Sequence, residues 1–188
     1  MPRNIAKKLK LFALADAIIE PDWEFRYFSY NSKWSATAEM ASLRDGCGGE
    51  WFLWLSGELA GFKCLSPNDG VMPDLEKVKR TFPQAYRPFV AEPAFSMEAA
   101  SCIWYLDGTE WRKFGLSSVS LIDIDDISHW TPSDYHSWAS GYYDVDIDIK
   151  LIDKLLKGEF SEELAKNLNP KVDMSKLKLD LDEIGIFS

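Results

Sequence analysis

Asp45-Gly46-Cys47-Gly48-Gly49 stands immediately before Glu50-Trp51-Phe52-Leu53-Trp54-Leu55, and this junction constrains the fold more than any other stretch of the chain. Glycine reaches positive φ without a steric penalty, so a cluster of this kind closes a tight reversal. Residues 40–44 before it and 50–55 after it then form a hairpin. Gly57-Glu58 turns the chain again, into a third strand that runs through Cys64. Trp51 to Leu55 is apolar at every position rather than at alternate ones. A strand with that pattern is covered on both faces, which makes it central in its sheet.

The remaining elements are read from periodicity and punctuation. Residues 5–19 place Ile5, Leu9 and Phe12 on one face of an amphipathic helix that Glu20-Pro21 ends. The basic residues before Leu11 resemble the start of a signal peptide, but Asp16 interrupts the apolar run too early for one. No stretch is long enough to span a membrane. Residues 23–30 are aromatic and β-favouring, and predict a strand. Residues 73–83 predict a helix opened and closed by proline, with Leu75, Val78 and Phe82 on one face, and Pro88 and Pro93 mark an irregular connection. Asp107-Gly108 joins strands at 99–105 and 110–114. Residues 119–127 and 145–149 alternate apolar with acidic positions, the pattern of strands or extended segments with one wet face.

Helical signals dominate the rest. Thr131-Pro132 opens one helix, and Leu151, Ile152, Leu155 and Leu156 lead another to Gly158. Ser161 caps a third, and Asp173 a fourth in which Leu177, Leu181 and Ile184 share a face that Leu179 does not. With 46% of residues hydrophobic and 14% aromatic, the chain can bury a core of its own. The expectation is one α+β domain over residues 1–188: a twisted antiparallel sheet of about five or six strands with packed helices and a helical C-terminal third. Residues 1–127 hold the N-terminal helix and the sheet, and 128–188 are mainly helical.

Charge and cysteine usage bound the function. A net charge of -9 argues against nucleic acid and anionic membrane surfaces as partners. Residues 121–150 contain seven acidic residues and one basic, so most of that charge is local. Cys47, Cys64 and Cys102 are odd in number and widely spaced, which points to a reducing cytoplasm.

Candidate chemistry centres on the hairpin. Cys47 lies among glycines whose amides can cradle an anion and lower a thiol pKa, yet a nucleophile needs a base, and His129 and His136 are far away in sequence. No lysine, Ser/Thr or following helix completes a phosphate loop. Arg44, Asp45 and Glu50 flank the turn; they either end a solvated hairpin or, with Arg44 turned inward, organise a polar binding site. Asp144, Asp146 and Asp148 begin like a calcium loop, but Ile149 and Leu155 stand where glycine and glutamate are required. On an extended chain the three share one face, as do Asp123 and Asp125, giving a ridge that either solubilises the protein or docks a basic partner. His129, His136 and Asp134 fit a metal site less well than half-buried neighbours of Trp130 and Trp138. Neither a metal nor another cofactor is expected.

Arg44-Asp45-Gly46-Cys47-Gly48-Gly49-Glu50, Gly61-Phe62, Glu92-Pro93-Ala94-Phe95 and Cys102-Ile103-Trp104, followed by Tyr135, Tyr142-Tyr143, residues 164–170 and Asp182-Glu183-Ile184-Gly185, resemble a pattern in an uncharacterised bacterial family of small acidic α+β proteins. The resemblance covers residues 40–185 and implies no activity. The acidic, aromatic-rich character is also similar to that of toxin-immunity proteins. Two readings follow. The first is a non-enzymatic cytoplasmic interaction protein that docks a basic partner through Asp123, Asp125, Asp144, Asp146 and Asp148. The second is a small-molecule binder or enzyme whose site uses Arg44, Asp45, Cys47 and Glu50. Oligomeric state is open, since the N-terminal helix can present apolar surface to a neighbour.

Overall fold

The computed structural model describes residues 2–72, 74–115 and 121–186. Its centre is a six-stranded antiparallel sheet whose strands lie side by side in chain order: β1 (Phe28–Asn31), β2 (Glu39–Arg44), β3 (Glu50–Ser56), β4 (Leu59–Leu65), β5 (Cys102–Asp107) and β6 (Glu110–Gly115). The glycine hairpin sets Arg44 opposite Glu50 and Leu43 opposite Trp51. As the apolar run predicts, β3 is interior and covered on both faces. Trp51, Leu53 and Leu55 enter one core, and Phe52 and Trp54 the other.

The larger core lies between the sheet and α1 (Pro2–Ile19), α4 (Ile124–His129), α5 (Pro132–Tyr143), α6 (Ile149–Leu156), α7 (Glu162–Leu168) and α8 (Met174–Ile184). The opposite face is covered by two short helices, α2 (Leu75–Lys79) and α3 (Arg87–Val90), and by single turns at Gln84–Tyr86, Pro93–Phe95 and Met97–Ala99. Helix α1 is not the one-sided amphipathic helix its sequence suggests. From Leu11 to Ile18 every residue is buried, because β1 and β2 lie on one side of it and α4, α6, α7 and α8 on the others.

Three expected elements change form. The strand expected over 23–30 begins only at Phe28, since Trp23–Phe25 is a turn of 3-10 helix. Arg26 holds that turn, donating to the carbonyls of Glu20 and Pro21 at 2.8 Å each and to the Asp180 carboxylate at 2.8 and 3.0 Å. The strand expected over 119–127 lies in part outside the described residues, and its remainder is helix α4. There Asp123 is the N-cap of a capping box with Asp126, and two satisfied backbone donors outweigh an alternating pattern. Residues 145–148 pair with no strand; they link the left-handed Asp144 that ends α5 to Asp148, which caps α6.

Candidate functional site

The hairpin turn is closed by Asp45. Its Oδ1 accepts the Cys47 and Gly49 amides at 2.7 and 2.8 Å, while the Asp45 amide donates to the Gly49 carbonyl at 3.0 Å. Gly46 and Gly48 adopt φ of 70° and 93°, which side-chain-bearing residues resist. The amides of Cys47 and Gly49 are therefore spent on the turn. Cys47 is exposed, and neither histidine serves it as a base: His129 Nδ1 lies 2.8 Å from the Asp125 carbonyl and His136 Nε2 lies 2.7 Å from that of Ile147. Asp134 caps α5 through Thr131. Among the described residues no group of three or more His, Cys, Asp or Glu is placed to hold a metal.

Beside the turn opens a cleft of about 520 Å³, lined by Arg44, Glu50, Gly46, Gly48 and Gly49 of the hairpin, Glu20, Glu24, Phe25 and Arg26 of the segment after α1, and Tyr142 and Tyr143 of α5. Of the four hairpin candidates, Arg44 and Glu50 line it; Asp45 and Cys47 do not. The Arg44 guanidinium lies 4.6 Å over the Trp23 ring and pairs with no carboxylate among the described residues. Glu50 turns its carboxylate to Lys63, at 3.1 Å, whose side chain is wholly buried beneath it. Trp23 and Phe25 are 54% and 59% exposed, and Tyr142 stacks on Trp138 with ring centroids 5.3 Å apart. Large aromatic rings left in water next to charges are the composition of binding surfaces. A second cleft, of about 480 Å³ around Tyr30, Ser35, Thr37 and Gly57, lacks that character: its Arg3 pairs with Glu58, and its Glu39 accepts from Lys10 and Tyr30.

Behind the cleft wall lies a group that sequence reasoning treated only as an interruption. Asp16 has no exposed surface; Tyr135 donates to its Oδ1 and the Phe28 amide to its Oδ2 at 2.7 Å, and the Tyr143 hydroxyl, which accepts the Tyr27 amide at 3.1 Å, stands near it. Burial raises its pKa from 3.8 to about 7, against the opposing pull of those hydrogen bonds and of the Arg26 charge. Desolvation, helped by the Asp16 charge, likewise pushes the hydroxyls of Tyr135 and Tyr143 well above the usual phenol range. The signal was present in the sequence. An aspartate embedded in Leu11 to Ile19, with Leu9, Phe12, Ala13 and Ile19 at helical spacing from it, has little wet face to occupy.

The acidic candidates are dispersed rather than aligned. Asp123 accepts the Asp125 and Asp126 amides at 2.7 and 3.0 Å, Asp125 pairs with Lys113, and Asp148 accepts the Lys150 amide at 2.8 Å. Asp144 ends α5 at a φ of 50°, and Asp146 is exposed between the two helices. Three of the five have structural duties at helix ends. The single-faced ridges expected from a period of two do not form, because neither segment is a strand. Compared with known proteins, the chain matches no family model, no curated protein and no solved structure.

Proposed function

We propose that this chain is a non-enzymatic interaction protein of the cytoplasm, akin in mode to toxin-immunity proteins, which docks a basic partner at the hairpin cleft. One observation carries the reading: exposed Phe25 and Tyr142 line a concavity that also holds Glu20, Glu24 and Glu50, with the exposed Trp23 ring next to it under Arg44. Aromatic faces beside carboxylates bind lysine and arginine side chains by cation–π attraction and charge, and Trp, Tyr and Arg are the residues that dominate interface energetics. The net charge of -9 steers a basic partner toward the molecule, with Asp146 and Asp148 close in sequence to the cleft wall. Arg44, stacked on Trp23, is left for a carbonyl or carboxylate of the partner. Among the described residues neither Cys47 nor a histidine lines the cleft, which favours binding over catalysis.

Capture from the native host at about 50 and 500 mM salt tests the reading, a span over which a charge-steered complex weakens at least tenfold. The expected result is a basic protein that wild type retains at low salt, that Tyr142→Ala and Glu24→Lys lose, and that Asp123→Asn keeps. Retention by Tyr142→Ala and Glu24→Lys together would overturn the cleft as the site. The unpaired guanidinium of Arg44 specifically favours a second reading, a small-molecule binder or enzyme that takes an anion at the same place. Native mass spectrometry that finds a small anion on wild type and none on Arg44→Ala would put that reading first.

A further inference from the structure

We propose that a groove between α1, α6 and the junction of α4 with α5 binds a small carboxylate with an apolar tail. The inference is independent of the hairpin cleft and of any partner docked there. A cleft of about 250 Å³ opens here, walled by Leu11 and Phe12 of α1, Trp130 and Pro132 where α4 meets α5, and Leu156 of α6, with Asn4, Lys7 and Lys8 of α1 along its side. At the ~30 Å³ that one water molecule takes in the liquid, such a volume holds about eight non-hydrogen atoms. That is smaller than the pockets that enclose drug-sized ligands, and it suits the tail of a medium-chain or aryl acid whose carboxylate stays at the rim.

Polarity changes along one helix face of this groove. Asn4, Lys7, Lys8 and Leu11 follow the i, i+3, i+4, i+7 spacing, with Phe12 beside Leu11. One helical turn, about 6 Å of rise, separates Lys7 from Leu11. A ligand lying along the groove therefore meets an amide and an ammonium at one end and apolar side chains at the other. Lys7 is exposed and has no hydrogen-bond or ion-pair partner among the described residues. None of the described lining residues is acidic, although the chain carries a net charge of -9. A cation here would face Lys7 without compensation, and a neutral molecule would leave the ammonium unused, whereas a carboxylate pairs with it.

The apolar wall is fixed from behind. Lys8 spends its three N–H groups on the carbonyls of Ile127, Ser128 and Trp130, at 3.1, 2.7 and 3.0 Å, and so ties the end of α4 to α1. Asp134, whose charge reaches Lys8, accepts the Thr131 amide and hydroxyl at 2.7 and 2.6 Å. The half-buried Trp130 ring packs on Phe12 and on Trp138, each with centroids 5.9 Å apart. The charges next to Trp130 are thus satisfied within the fold, which leaves Lys7, among the described lining residues, to take the charge of a ligand. Walls that need no ordering on binding lose little of the apolar gain to conformational entropy.

Isothermal titration calorimetry of the full chain with sodium octanoate and sodium 4-phenylbutyrate tests the site, with octanol and octylammonium as controls of matched tail. The expected result is saturable binding of at least one of the acids, about tenfold weaker binding of octanol and none of octylammonium. Lys7→Glu, at an exposed position, should weaken the acid by about tenfold or more, and Leu156→Trp, which fills the groove, should abolish it. Arg44→Ala should leave it unchanged. Failure of both acids to bind overturns the proposal, and so does equal affinity for octanoate and octanol. Binding that survives Lys7→Glu, or that Arg44→Ala abolishes, places the acid elsewhere and also overturns it. Sedimentation with phosphatidylglycerol vesicles without uptake of either free acid would make this face a membrane contact rather than a pocket, again against the proposal. Should Leu156→Trp fail to fold, Lys7→Glu decides alone.

Discussion

Lys63 is an ammonium with no exposed surface, tolerated because Glu50 meets it at 3.1 Å and the Phe52 ring lies 5.5 Å away. Removing one partner of a buried pair costs more than the pair contributes, since the survivor keeps its charge and loses its compensation. Glu50→Ala should therefore destabilise the fold by about 2–3 kcal/mol, toward the low end of such effects because 26% of the Glu50 side chain still meets solvent. Lys63→Met, which removes the charge and keeps the length, should be close to neutral. Urea midpoints of the two variants check this. Equal losses would mean that the ion pair itself, rather than the stranded lysine, sets the cost. Since Glu50 also lines the cleft, Lys63→Met further frees its carboxylate for a ligand, and binding should strengthen rather than weaken.

Among the elements, hairpins and capped helices were legible from their turn chemistry and α1, α6 and β3 from their apolar pattern, whereas alternation of apolar and acidic residues misled. The hairpins at Asp45–Gly49, Gly57 and Asp107–Gly108 needed residues able to reach positive φ, and the strands on either side followed. Thr131, Ser161 and Asp173 announced their helices for the same local reason. Residues 121–127 misled because Ile122-Asp123-Ile124-Asp125 alternates like a half-buried strand, whereas the Asp123–Asp126 capping box needs the same residues and starts a helix. Of the cleft, the sequence exposed the hairpin side, Arg44 and Glu50. The opposite wall, Phe25 and Tyr142, was illegible because α5 reaches the segment leading into β1 only through long-range packing, as in the contact of Tyr27 with Tyr142 at 4.8 Å between ring centroids. The cap has a measurable consequence. Asp123→Ala should cost about 1 kcal/mol in thermal or urea unfolding, while Asp146→Ala, which caps nothing, should leave stability unchanged. The opposite ranking would restore Asp123 as a surface residue free for docking.

At the scale of the whole molecule, the sheet is shared. Strands β2, β3 and β5 each send alternate residues into both cores, so Met40, Phe52 and Ile103 belong to one and Leu43, Trp51 and Trp104 to the other. A layer arranged in this way cannot lose one cover and keep the other intact, because each strand would then expose a row of large apolar side chains to water. The expected outcome is that the described residues unfold cooperatively as one unit. Phe95→Ala removes a fully buried ring from the smaller core and Leu155→Ala a fully buried side chain from the larger. Each should destabilise by about 3 kcal/mol. Far-ultraviolet circular dichroism follows mainly the helices of the larger core, and tryptophan fluorescence samples both; in each variant the two signals should shift together to one lower midpoint. Separate midpoints in Phe95→Ala would mean that the segment from β4 to β5, with α2 and α3, melts independently of the helical side, and the chain would then consist of two folding units that meet at the sheet.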